Sequence, residues 1–144
     1  MTVLLDAFAL IALLRDEPAA DEVENILRRG VAAMSAVNLA EALDVLQRVD
    51  GIGRARLDEL TGPLLRESVA LWVVEERTAR DGAEVRARHY HRTRAPLSLA
   101  DCLLVAAARG ADAAVATADR PLAGAARAED VEVLGLPDAR GHRA

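Results

Sequence analysis

The sequence predicts an α/β fold with a parallel sheet, on three observations. Short β-branched or apolar runs alternate with longer amphipathic ones, the pattern of repeated βα units. The 144 residues are 52% hydrophobic and 28% charged, which fits one domain burying roughly 70% of its unfolded surface. Aromatic residues supply only 2%, so Leu, Val, Ile and Ala must build the core, and small side chains suit helices packed closely on a sheet.

The elements follow in order. Thr2 to Leu5 reads as the first strand and about Ala7 to Arg15 as the first helix. Pro18 suits the first turn of a second helix reaching about Arg29, where Gly30 stops it. Val31 to Met34 is a second strand, and Ser35 caps a helix from Ala36 to about Val49 that Gly51 and Gly53 break. A fourth helix covers Arg54 to Leu65, its later part weakened by Gly62 and Pro63. Val69 to Val74 is the clearest strand in the chain, followed by a long charged helix from Glu75 to about His91 that Ala95 and Pro96 end. Ser98 then caps a helix through Arg109, Ala113 to Ala116 forms a strand, Arg120 to about Arg127 a short helix, and Val131 to Leu134 the last strand. There is no internal repeat; residues 1–136 make the domain and 137–144 a loose tail.

Composition removes several functions. All 18 basic residues are Arg, so a P-loop, a Schiff-base enzyme and a phospho-receiver site each lack the Lys they use. The net charge of −5 argues against a general nucleic-acid coat protein but not against a nuclease with an acidic centre and a basic rim. A basic patch does exist: from Val85 to Leu99 no acid appears, while Arg86, Arg88, His89, His91, Arg92 and Arg94 cluster. The one cysteine, Cys102, forms no internal disulfide and lies among leucines, which suggests core packing and a reducing, cytoplasmic setting. Val3 to Leu14 lacks a positive n-region and carries Asp6, so it does not read as a signal peptide, and no stretch is long and apolar enough for a membrane span.

Four acids stand where apolar runs pass into helices: Asp6 in VLLDAFALIALL, Glu41 in SAVNLAEAL, Asp101 in LSLADCLLVAAA and Asp119 in AVATADRPLA. In a parallel sheet the strand ends and the starts of the following helices share one edge, where open α/β folds place ligands. Four separate segments thus bring their acids to one rim. Taken singly, Asp6 and Asp119 read equally as N-caps and Asp101 as part of a capping box with Ser98, each stabilising by roughly 1 kcal/mol. Glu41 lies too deep in its helix to cap and needs a partner, for which Arg48 and Arg15 are candidates. Two carboxylates about 5 Å apart repel by roughly 3 kcal/mol at an effective dielectric near 20. A divalent cation such as Mg²⁺ or Mn²⁺ reverses that sign, and the sequence has no Cys/His cluster to favour a softer metal.

These four motifs, in this order and over about Val3 to Leu134, resemble the PIN domain, specifically the VapC-type ribonuclease toxins of toxin-antitoxin pairs. The resemblance implies a three-layer α/β/α sandwich around a central parallel sheet and Mg²⁺-dependent endonucleolytic cleavage of RNA, leaving 5′-phosphate and 3′-hydroxyl ends. It makes Asp6, Asp101 and Asp119 metal-coordinating acids, with Glu41 holding water or a second ion. Thr117 matches a position where such proteins place a hydroxyl near the site, although a turn residue is its other reading. The resemblance further implies a cognate antitoxin laid against apolar faces that include Phe8, Leu10, Leu14, Leu39, Leu43 and Leu57, and a homodimer. One position departs: where the family commonly has Ser or Thr two residues after its first Asp, this chain has Phe8.

An acidic centre does not attract RNA, so phosphate contacts must come from the rim, with Arg86, Arg88 and Arg92 as candidates against the alternative of a solvated helix face. His89 or His91 as a general base is a further candidate. Two rival functions stand beside this reading. One is a non-catalytic PIN-like module binding RNA or protein, its acids structural. The other, a phosphatase of the haloacid dehalogenase class, needs an Asp where Phe8 stands.

Overall fold

The computed structural model describes residues 1–144. Five strands, β1 (Val3–Leu5), β2 (Ala32–Ser35), β3 (Ala70–Trp72), β4 (Ala114–Thr117) and β5 (Val133–Gly135), form one parallel sheet in the order β3-β2-β1-β4-β5. Helices α1 (Ala7–Leu14), α2 (Ala20–Arg28), α3 (Ala36–Arg48) and α4 (Arg54–Glu67) come from the first half of the chain, and α5 (Glu76–His89), α6 (Leu99–Gly110) and α7 (Arg120–Ala128) from the second.

The period of two along each strand divides the core. Val3 and Leu5, Ala32 and Met34, and Ala114 and Ala116 pack against α1 to α4, whereas Leu4, Ala33 and Val115 between them pack against α5, α6 and α7. The three central strands β1, β2 and β4 are buried on both faces, and the molecule is the expected three-layer α/β/α sandwich. Cys102 lies in the second core, where burial pushes its thiol up to about 11.

Chain direction across the sheet reverses at β1, whose neighbours are β2 and β4 in the registers Leu5↔Met34 and Leu5↔Ala116. Open α/β folds place ligands beyond the carboxyl ends of the strands at such a switch point, and Asp6 and Thr117 stand at that edge.

Three expectations shift. The run Val69–Val74 supplies only three strand residues, because β3 is an edge strand with β2 as its one partner, and Val73 beyond it is 74% exposed. Helix α4 continues through Gly62 and Pro63 to Glu67: Pro63 is on the exposed side, where water can satisfy the carbonyl that loses its donor. The segment after Pro137 is ordered. Its backbone pairs Pro137 with Arg143, whose guanidinium donates to Glu22 at 2.6 and 3.0 Å and to the Gly135 carbonyl at 2.8 Å.

Candidate metal centre

Local chain chemistry places three of the acids. Asp6 is the N-cap of α1, its Oδ1 accepting from the Ala9 amide at 2.8 Å. Asp119 is the N-cap of α7 and accepts from the Leu122 amide at 3.0 Å. Ser98 and Asp101 form a capping box at the start of α6, with reciprocal bonds of 3.0 and 2.9 Å. The capping expectation therefore holds for all three, and it does not compete with a second role: Asp101 Oδ1 and Asp119 Oδ2 receive no backbone donor.

Glu41 is different. Neither candidate arginine reaches it, since Arg15 is taken by Asp50 and Glu17, and Arg48 by Asp44 one turn away. Its partner is Asn38, whose Nδ2 donates to Glu41 Oε2 at 3.4 Å. The i,i+3 spacing puts both on one face of α3. Asn38 is fully buried, and its Oδ1 is a buried polar atom with no hydrogen-bond partner.

The four acids share one field. Burial raises the Asp6 carboxyl to about 7 against the opposing hydrogen bonds from Thr117 and Ala9, with Asp101 and Asp119 pushing it further up. Burial also raises Glu41, with Asp101 next in effect, and raises Asp101, to which Asp119 adds. Four segments distant in sequence thus meet at the β1/β4 switch point, and no arginine pairs with any of them. The side chains are not drawn into ligating contact: no three Asp, Glu, His or Cys groups stand close enough to hold one ion as they are oriented. Each Asp turns one oxygen toward its own helix start.

The donor set fits a hard divalent ion. It is all oxygen, partly desolvated and uncompensated by cations, and Asn38, which donates to Glu41, keeps a buried amide oxygen without a partner. Asp6, Asp101 and Asp119 are the residues that would hold the ion.

Thr117 links two of these residues. Its buried hydroxyl donates to Asp6 Oδ2 and accepts from the Asp119 amide at 2.9 Å, so it fixes the first acid relative to the last. Asp6 therefore has a hydroxyl partner even though Phe8 cannot supply one.

The family match follows from the same residues. The PIN domain family matches residues 3–128, which include all four acids. The chain belongs to the PIN domain family. Among solved structures, the PIN fold of this chain is similar to VapC20 of Mycobacterium tuberculosis, described as a sarcin-ricin loop cleaving toxin, at 19% identity and TM-score 0.69 over 86% of this chain and 95% of that one. It is also similar to VapBC2 of Rickettsia felis bound to a promoter DNA fragment (13% identity, TM-score 0.65, 93% and 98% covered). A third likeness is to a toxin-antitoxin complex from Klebsiella pneumoniae (18% identity, TM-score 0.59, 85% and 92% covered). Identities this low show a shared fold. No curated protein matches the chain.

The basic segment of this PIN domain divides on inspection. Arg88 and His89 turn to Glu129, which also receives Arg109, so both are held within an ion cluster joining α5, α6 and α7. Arg86 donates to the Leu97 carbonyl at 3.3 Å, beside the Ser98 cap, and lies 4.3 Å over the Tyr90 ring. Arg92 is exposed on the loop between α5 and α6. Of the apolar residues named for a partner, Leu10 and Leu57 are core, while Phe8, Leu14, Leu39 and Leu43 are half-buried. No helix is long and apolar enough to cross a membrane.

Proposed function

We propose that the protein is a divalent-metal-dependent endoribonuclease and the toxin of a toxin-antitoxin pair. One observation carries the reading: four acids from four segments share the switch-point edge with no arginine to neutralise them. Burial raises three of the four carboxyls and neighbouring acids add to it, a cost for which a purely structural role gives no reason. Asp6, Asp101 and Asp119 would hold Mg²⁺ or Mn²⁺, which would supply positive charge for the phosphodiester and lower the pKa of water.

The chain's own groups do the rest. Asp6, fixed by Thr117 and the Ala9 amide, stays in place at the switch-point edge. Glu41, raised by burial and held by Asn38, would accept a proton from attacking water. Arg86 and Arg92 contribute positive charge to the rim, whereas Arg88 is offset by Glu84 and Glu129. The neighbours described as toxin-antitoxin assemblies support a cognate antitoxin as partner, and a homodimer and a cytoplasmic setting belong to the same proposal.

Incubating the purified protein with total RNA, with and without Mg²⁺ or Mn²⁺, tests this on a gel. Discrete RNA fragments with 5′-phosphate ends should appear with metal and vanish with a chelator. RNA that stays intact under every metal condition, while still bound, would favour the non-catalytic binding module.

A further inference from the structure

Two surface cavities flank the start of α6, and neither is lined by a carboxylate. The first, about 470 Å³, lies between the α5–α6 connection and the start of α7 and is lined by Arg94, Leu97, Arg120 and Pro121, with His89 at its edge. Arg94 and Arg120 form no ion pair, whereas Arg88 nearby is held by Glu84 and Glu129. Arg120 directly follows Asp119, and Leu97 directly precedes the cap of the helix that carries Asp101. Two lining residues of the cavity are thus chain neighbours of the acid-bearing helix starts.

The loop presenting Arg94 is fixed in advance. His91 and Ala95 exchange backbone hydrogen bonds of 2.9 and 3.0 Å, and His91 Nδ1 accepts from the Thr93 and Arg94 amides at 3.2 and 3.1 Å. Uncompensated guanidinium groups on a closed loop and a helix start fit a phosphate, whose planar-fork recognition favours Arg. The second cavity, about 400 Å³, is lined by Arg86, Tyr90 and Leu99. Arg86 covers the Tyr90 ring at 4.3 Å, yet Tyr90 stays 44% and Leu99 55% exposed, an apolar platform beside positive charge.

We propose that these cavities form a subsite for single-stranded RNA, in which Arg94 and Arg120 hold a backbone phosphate and Tyr90 stacks an unpaired base. Duplex RNA is disfavoured, since its bases are not free to lie on a side chain. The inference rests on the ribonuclease reading and adds to it the substrate form and three substrate-binding residues.

The test measures binding of a short single-stranded RNA across a salt series, in the Asp101→Asn background to prevent cutting. Arg94→Ala/Arg120→Ala should weaken binding at least tenfold and make the slope of log K against log salt shallower by roughly 0.7, for one neutralised single-strand phosphate. Tyr90→Ala should weaken binding about tenfold with the slope unchanged, and Tyr90→Phe should restore it. Arg29→Ala/Arg66→Ala, removing two other arginines without ion pairs, should alter neither. All these residues are on the surface, and equal melting temperatures will show that the variants fold. If wild type cuts RNA while the Arg94/Arg120 double variant keeps affinity and slope, the subsite is wrong and the ribonuclease reading stands. If wild type neither binds nor cuts RNA with metal, both fall.

Discussion

Asp101→Asn should reduce RNA cleavage by at least about 10³-fold while leaving the protein folded. The loss follows from removing charge at a centre whose work is electrostatic, where even a single preorganised group is worth roughly 3–4 kcal/mol. The retained fold follows from the cap. Asp101 Oδ2 accepts from the Ser98 amide at 2.9 Å, and the carbonyl oxygen of Asn can take that bond, so helix α6 loses less than about 1 kcal/mol. Asp101→Ala would remove both functions and confuse them. Measuring initial rates on one RNA, together with thermal unfolding, separates the two; an Asn variant that cuts as fast as wild type would remove Asp101 from the centre.

The second large effect concerns stability. Asp6 has a folded pKa of about 7, raised mainly by burial from an ordinary value of 3.8. The folded state thus holds a proton that the unfolded chain releases. In metal-free buffer, the contribution of Asp6 to stability should be fully present near pH 4 and below, fall as pH rises through about 7 and then level off, a loss of up to about 4 kcal/mol. Glu41 and Asp101, raised in the same direction, add to it. Asp6→Asn should be more stable than wild type by about 2 kcal/mol at pH 8 without metal, and its pH slope should be flatter. The gain is below the full linkage value because Asn replaces the oxygen that accepts from Thr117 with a donor. Denaturant unfolding in a chelator at pH 4 to 8 checks this, and equal slopes for both proteins would contradict it. Added Mg²⁺ should stabilise wild type more at pH 8 than at pH 5, because the ligands must be ionised to bind it.

Much of this was legible because it rests on local rules. Apolar strands buried on both faces, and acids at the junctions between strands and helices, follow from neighbours in sequence, as the caps by Asp6, Asp119 and the Ser98–Asp101 box do. What the sequence hid depends on distant pairs. Arg88 looks free in a run without acids, yet Glu129, 41 residues on, takes it. The tail looks loose, yet Arg143 reaches Glu22, 121 residues back. Phe8 suggests a missing hydroxyl, and Thr117 provides one from an adjacent strand. Asn38 had a signal that could have been read: a polar amide within an apolar helix, three residues before the acid that could not be a cap. The strand at Val69–Val74 was overestimated because β propensity says nothing about whether a second neighbour exists to pair with.

The central claim is that these carboxylates gather to bind one divalent cation, and titration of metal-free protein with Mn²⁺ in a calorimeter tests it most directly. Wild type should show saturable binding near pH 8 that is lost in Asp6→Asn and Asp101→Asn and unchanged in the surface variant Arg29→Ala. No binding by wild type, or binding equally strong in all the variants, would contradict it.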